Sequence, residues 1–414
     1  MAVEDDVLVV GGGLAGMTAA LSAARTGAQV RLVSGAESSL HQASGLVDVL
    51  GYVDGELQAD PYAGIPALAP DHPYRRVGPD AVRAGLALFD DVTEGYRGDH
   101  TDRNALVPTH GGTVKPTARY PAGTAAGLAS DERDCLLVGF ERLTDFDAPL
   151  VAANLGEAAV PFRVRGASVQ FPRSLPPDAA ATRYARALDR DEDGVRDALA
   201  RAVDAVRGDA ARVGLPAVLG RDRPAAVRAD IAATLGVDVF EVPMGPPSLP
   251  GIRLAERFEA ALRDADVRLT KGSPVVDVTA RDGRVETVTV DRGRSGGTFR
   301  AGQYVLATGG LVGGGVTADR ERVREPVFDC HVAHPDDRAD WSAADAFGDH
   351  AFARFGLAVE DDLRPRDAGG RVEFANLRAA GAVLGGADFA AEKSGSGISL
   401  ATGHRAGTLA GEAV

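Results

Sequence analysis

Three glycines at G-x-G-x-x-G spacing, Gly11, Gly13 and Gly16, follow directly on an apolar run at residues 7–10. The chemistry this pattern serves is phosphate binding by backbone. Gly11 permits a tight turn, Gly13 lets the main chain approach a phosphate with no side chain between, and Gly16 lets the next helix lie close on the strand. A helix read over residues 14–26 then offers the N–H groups of Leu14 and Ala15, and a partial positive charge, to the phosphate. With 51 glycines in 414 residues, such spacing arises by chance. The context decides: strand, turn and helix occur in order, and a second strand at residues 29–33 follows at βαβ distance. The elements that position the glycines are therefore those of a nucleotide-binding α/β unit.

A dinucleotide site places Asp or Glu about 20 residues beyond the glycines to hold the adenosine ribose. Strand register puts Ser34 there, and Glu37 falls three residues later. Serine can hydrogen-bond a ribose, so a dinucleotide stays open. A mononucleotide with one phosphate and no adenosine competes with it.

Two later segments extend the pattern. The apolar strand Gln303-Tyr304-Val305-Leu306-Ala307 ends in Thr308-Gly309-Gly310 after a meander of strands at 267–269, 275–279, 285–290 and 298–300. Near the end, Ala379-Ala380-Gly381-Ala382 leads to Gly385-Gly386, then to Ser394-Gly395-Ser396-Gly397-Ile398 and a closing helix. In this order the chain resembles the flavoproteins of the nucleotide-binding fold, including those of succinate dehydrogenase and fumarate reductase. With His41-Gln42-Ala43-Ser44-Gly45, residues 136–140 and 150–155, and Pro246-Pro247-Ser248-Leu249-Pro250-Gly251, it is similar along nearly its whole length to the B subunit of anaerobic glycerol-3-phosphate dehydrogenase.

That resemblance implies an FMN-containing member of a three-part complex. Its partners would be the FAD-containing catalytic subunit, together with an iron–sulfur subunit that passes electrons to quinone. The reaction implied is oxidation of sn-glycerol 3-phosphate to dihydroxyacetone phosphate. Thr308 and Gly309 would pass close to the flavin, Ser44 and Gly45 would bring backbone N–H groups towards its N5, and the helix opening at Gly395, Ser396, Gly397 and Ile398 would face its pyrimidine end. A helix N-terminus there suits the negative charge of a reduced ring. Ser34 agrees with FMN, with FAD as the alternative. Two other readings stand beside this one: an independent FAD-dependent reductase of a small anionic substrate, and a scaffold that only joins the other subunits.

The catalytic residues are not marked by any motif. His41 is a candidate because histidine donates and accepts near neutral pH, though it would equally cap a loop. Arg253 could clamp a phosphate bidentately or form an ordinary ion pair. Lys115 is a further cationic candidate. Cys330-His331 with His334 tempts a metal reading, but zinc needs three or four ligands and no nearby Cys or His completes the set. His404 and Arg405, in the closing helix, suit packing or a partner contact better than chemistry.

Composition narrows the rest. The net charge of −14 argues against nucleic acid. Lysine supplies only Lys115, Lys271 and Lys393 of 45 basic side chains, a bias that salt adaptation and GC-rich coding explain equally well. No apolar run approaches the roughly 18 residues of a membrane span, and the chain opens with Glu4, Asp5 and Asp6 where a secretion signal would be basic. A cytoplasmic protein is expected, reaching the membrane only through a partner. Cys135 and Cys330 lack cluster spacing, so electrons leaving a flavin here would need another subunit.

The expected fold class is α/β, with a discontinuous Rossmann-like flavin-binding domain and an inserted α+β domain. The first would use residues 1–58, 255–325 and 365–414, the insert residues 59–254, and residues 326–364 would form a covering segment. Proline-rich exits at 61–73 and 243–250 set the boundaries. Within the insert, 178–208 reads as one or two amphipathic helices and 162–171 as a strand.

Overall fold

A computed structural model describes residues 3–99, 101–291 and 296–414. Along the chain come strand β1 (Val3–Val10), helix α1 (Leu14–Ala24), strand β2 (Val30–Ser34) and helix α2 (Pro73–Val92). Next are β3 (Cys135–Phe140), α3 (Ala148–Glu157), β4 (Val164–Val169), α4 (Ala181–Arg190), α5 (Val195–Arg207), β5 (Arg212–Pro216), α6 (Pro224–Leu235) and β6 (Asp238–Val242). The last part holds α7 (Leu249–Asp264), β7 (Arg268–Lys271), β8 (Val275–Arg281), β9 (Arg284–Val290), β10 (Gly297–Leu306), β11 (Leu377–Ala379) and α8 (Gly395–Gly411).

These form two compact units: residues 1–39, 48–94 and 255–414, and residues 40–47 with 95–254. The first is built on a seven-stranded sheet in the order β7-β2-β1-β10-β9-β8, with β11 also on β10. Strands β7, β2, β1, β10 and β11 run parallel, while β8 and β9 are an antiparallel hairpin. That hairpin turns at Asp282 and Gly283, both at positive φ (51° and 67°), the backbone a two-residue turn needs to match strand twist. Val7–Val10 of β1 and Val30, Leu32 and Val33 of β2 are buried apolar residues, as expected of central parallel strands.

α8 packs against α1 through small residues. A Cβ on Gly403 would lie 2.5 Å from the Ala15 carbonyl oxygen, and one on Gly407 2.1 Å from that of Ala19. The four-residue spacing of these glycines puts both on one helix face, which lets the two backbones approach closely. Gly85 of α2 meets α8 in the same way, its Cβ position 2.7 Å from Leu400.

That contact moves a boundary. Residues 59–94, expected in the insert, fall in the first unit, because Val82, Leu86 and Phe89 bury one stripe of α2. Residues 326–364, expected as a separate covering segment, belong to the same unit.

The second unit carries a wholly parallel four-stranded sheet in the order β4-β3-β5-β6, alternating with helices α3 to α6. The insert expected as α+β is thus largely α/β. Its antiparallel pairings are short ladders, Tyr96–Arg97 with Tyr120–Pro121 and Ala105–Pro108 with Val114–Thr117. Its core gathers Leu136, Val138, Leu188, Leu199, Val213, Leu215 and Ile231.

Candidate functional site

A cleft of about 330 Å³ opens at the carboxyl ends of β1, β2 and β10, and Gly11, Gly13, Leu14, Ala15, Ser34, Thr308 and Gly309 all line it. The three glycines of the motif do different work. Gly11 has φ +124°, and a Cβ there would sit 2.1 Å from the Ala307 carbonyl oxygen. A Cβ on Gly16 would sit 2.0 Å from the Gly11 carbonyl oxygen. Both shape the turn and the helix–strand contact. Gly13 instead has φ −81° and ψ −177°, ordinary extended backbone, and its Cβ would meet only Ser39 Oγ, at 3.4 Å. Its missing side chain leaves space in the cleft.

Gly13 is also the N-cap of α1. No side chain caps that end, and no acidic residue lies in its first turn, so the opening N–H groups remain available to an anion. Thr308, also in the lining, has its Oγ1 buried with no hydrogen-bond partner. An unpaired buried hydroxyl is costly, and a polar ligand in the cleft would satisfy it. Ser34 Oγ donates to the Ala36 carbonyl at 2.5 Å, which leaves its oxygen free only to accept. Glu37, set three residues beyond the usual position, lines the cleft too.

The closing helix meets this cleft elsewhere than expected. Ser399 of that helix lines it, beside Ala382 of the preceding segment, whereas Gly395, Ser396, Gly397 and Ile398 do not. The cause is local packing. The N–H of Ser396 donates to Asp48 Oδ1 at 2.8 Å, so a carboxylate of this chain already caps α8. A Cβ on Gly397 would fall 2.2 Å from the Tyr74 hydroxyl and 2.8 Å from Val49 Cα. Gly397 is needed for packing. The approach of this region to α1 runs through Gly381 (φ +76°), whose Cβ position is 2.6 Å from that of Ala15. Ser39 carried no sequence signal, because its place depends on long-range packing, while Ala382 and Ser399 lie in or directly beside the C-terminal segments that the sequence marks.

His41, Ser44, Gly45, Lys115 and Arg253 belong to the second unit. There the two segments that mark the resemblance prove to be one feature. Ser248 N–H donates to the His41 carbonyl at 2.9 Å, a Cβ on Gly251 would strike the carbonyl oxygens of Leu40 and Ala43, and Gly45 (φ +77°) lies against Pro250. Tyr96 Oη donates to the Gly45 carbonyl at 2.9 Å. Arg253 is committed to an ion pair with buried Glu241 (2.8 and 3.1 Å) and also donates to the Gly220 carbonyl. The ordinary reading of Arg253 is the correct one, and it is not a free phosphate clamp. Lys115 lies on the Val114–Thr117 strand.

The second unit's strand order reverses between β3 and β5, the position where doubly wound sheets hold ligands. Here the chain's own carboxylate fills the anion position. Asp189 accepts from the N–H groups of Arg221, Asp222 and Arg223 at 2.7, 3.0 and 3.1 Å, at the start of α6.

Back in the first unit, a larger cavity of about 650 Å³ contains His72 and Glu392 on its wall. His72 Nδ1 accepts from Tyr74 N–H at 3.1 Å, so its proton is on Nε2, which faces Glu392 Oε2 at 3.1 Å. Both nitrogens are therefore used structurally. Among the described residues no group of three or more His, Cys, Asp or Glu is arranged to hold a metal ion, and no helix is long and apolar enough to cross a membrane. Both cysteines are buried thiols; burial pushes Cys135 up to about 12.

A glycine-lined βαβ cleft followed by a returning Ala-Thr-Gly strand is the architecture of a flavoprotein of the nucleotide-binding fold, and the FAD binding domain family matches residues 6–398. The chain is 58% identical over its full length, and 99% of the relative's, to the B subunit of a probable anaerobic glycerol-3-phosphate dehydrogenase of Halobacterium salinarum. It is 32% identical, over 95% of this chain and 96% of the other, to the B subunit of the anaerobic glycerol-3-phosphate dehydrogenase of Pectobacterium atrosepticum. The open conformation of a flavocytochrome c3 fumarate reductase aligns over 99% of this chain and 78% of its own, at 12% identity and a TM-score of 0.47. The chain belongs to the B-subunit family of anaerobic glycerol-3-phosphate dehydrogenase, and so is a flavin-binding component of a multi-subunit oxidoreductase.

Proposed function

We propose that this chain holds FMN as the B subunit of a quinone-linked glycerol-3-phosphate dehydrogenase, beside an FAD-containing catalytic subunit, with an iron–sulfur subunit as the third member. The complex oxidises sn-glycerol 3-phosphate to dihydroxyacetone phosphate and sits at the cytoplasmic face of the membrane through its partners. The observation that carries the flavin assignment is the pairing of an uncapped α1 N-terminus with the open side of Gly13. A bound flavin supplies a two-electron acceptor that can release electrons one at a time.

The chain's own part is to bind and orient. The N–H groups of Gly13, Leu14 and Ala15 would hold the phosphate, and Thr308 Oγ1, which lacks a partner, and Ser34 Oγ would meet polar groups of the flavin. Ser34 in the place of an acidic residue supports FMN, since a cofactor without adenosine leaves no second ribose to hold. FAD is the second reading, and Glu37 on the cleft wall favours it.

Co-expression with the two partner subunits tests the assignment. All three chains should copurify, and glycerol 3-phosphate-dependent quinone reduction should follow the assembly. An isolated chain that oxidised glycerol 3-phosphate with quinone at the rate of the complex would replace this reading with a self-sufficient dehydrogenase.

A further inference from the structure

The second unit contains a hollow of about 210 Å³ at the carboxyl ends of β3 and β4. Glu141 and Arg142 follow β3, Gln170 and Phe171 follow β4, and Ser174 and Tyr184 complete the lining used here. The hollow lies at the carboxyl ends of parallel strands, next to the β3–β5 reversal where open α/β sheets hold ligands. This end of the sheet is unlike the neighbouring one, where Asp189 fills the anion position.

Three observations give the hollow a chemistry. Tyr184 is 1% exposed, lines the hollow, and its hydroxyl has no hydrogen-bond partner. Its ring is held between Phe140 and Phe171, with centroids 5.7 and 5.0 Å away, so the phenol has a fixed position. Arg142 donates to the Leu175 carbonyl at 3.2 Å and forms no ion pair among the described residues, whereas its neighbour Arg173 is paired with Glu192 at 2.6 Å. An unpaired guanidinium beside a buried, unsatisfied phenol is an oxyanion-binding pair. Burial raises the Tyr184 pKa and Arg142 opposes the rise, so the phenol stays protonated at neutral pH and can donate. Glu141 and Gln170 add acceptors for a hydroxyl.

We propose that this hollow is a binding site for a small hydroxylated oxyanion, with Arg142 and Tyr184 holding the anionic group. A phosphate monoester and a hydroxy-carboxylate share that chemistry.

The test uses flavin-loaded protein in which all seven tyrosines are 3-fluorotyrosine, the Tyr184 resonance being assigned by its loss in Tyr184→Phe. Glycerol 3-phosphate and glycerate are titrated separately. At least one should shift the Tyr184 resonance saturably, and Arg142→Gln should weaken that binding by about tenfold or more. A response to glycerol 3-phosphate alone identifies the phosphate ester, and a response to glycerate alone the carboxylate. If neither shifts the resonance, or if the midpoint is unchanged in Arg142→Gln, the site does not exist. Because the hydroxyl lacks a partner, Tyr184→Phe should unfold at the same temperature as the parent or higher. A lower unfolding temperature would show that the hydroxyl is already satisfied, and would overturn the proposal as well.

Discussion

The carboxylate of Asp48 caps helix α8 by accepting a hydrogen bond from the Ser396 N–H at 2.8 Å. Segments remote in the chain are thus joined at a helix end where a family resemblance alone would put a flavin ring. Asp48 is 6% exposed, and a carboxylate at that position satisfies an orphan donor and complements the helix dipole. Asp48→Ala should lower stability by about 1–2 kcal/mol, measured by urea unfolding of the flavin-loaded protein. An unchanged midpoint would show that α8 needs no cap.

The motif glycines should separate into two classes. Gly13→Val has allowed backbone and room beside Ser39, so the protein should fold and lose its flavin absorbance. Gly16→Val places side-chain atoms against the Gly11 carbonyl and should yield little soluble protein. If Gly13→Val retained full flavin, the phosphate would be bound elsewhere.

Thr308→Val tests the unpartnered hydroxyl. Without ligand its loss removes an unsatisfied buried group, so apo-protein stability should hold or rise. Flavin affinity should fall by up to about tenfold, the worth of one hydrogen bond of about 0.5–1.5 kcal/mol. Equal affinity, read by fluorescence quenching of added flavin, would place the hydroxyl outside the site.

His404 gives the fold a pH dependence. Burial, with Arg25 and Arg405 nearby, lowers its pKa from the ordinary histidine value of 6.5. The unfolded chain therefore takes up a proton at higher pH than the folded one, and stability is full above 6.5 and declines as pH falls below it. His404→Gln should flatten the fall in stability between about pH 7.5 and 5.5 in urea unfolding. A parallel curve for the variant would assign the slope to other groups.

Much of this was legible in the sequence where local pattern and fold agree. The strands at β1, β2 and β10, the helix after Gly13 and the hairpin at Asp282-Gly283 follow from apolar runs and turn residues that need no distant partner. What was not legible depends on contacts between remote segments. Gly397 reads as a flavin-facing glycine until Tyr74 and Val49 are found against it. Arg253 reads equally as a phosphate clamp or an ordinary ion pair until Glu241 is found beside it, and Glu37 reads as too late in register until its loop is placed on the cleft wall. The stripe Val82, Leu86 and Phe89 was present as a signal for α2, but the prolines before it read as a domain exit.

The central claim is that the cleft at Gly13 holds a flavin without adenosine. The most direct measurement is chromatography of the flavin released by heat from pure protein, beside the same preparation of Gly13→Val. The account predicts about one FMN per chain in the parent protein and none in the soluble variant. Stoichiometric FAD would contradict the FMN assignment in favour of the Glu37 reading, and colourless protein would contradict the claim altogether.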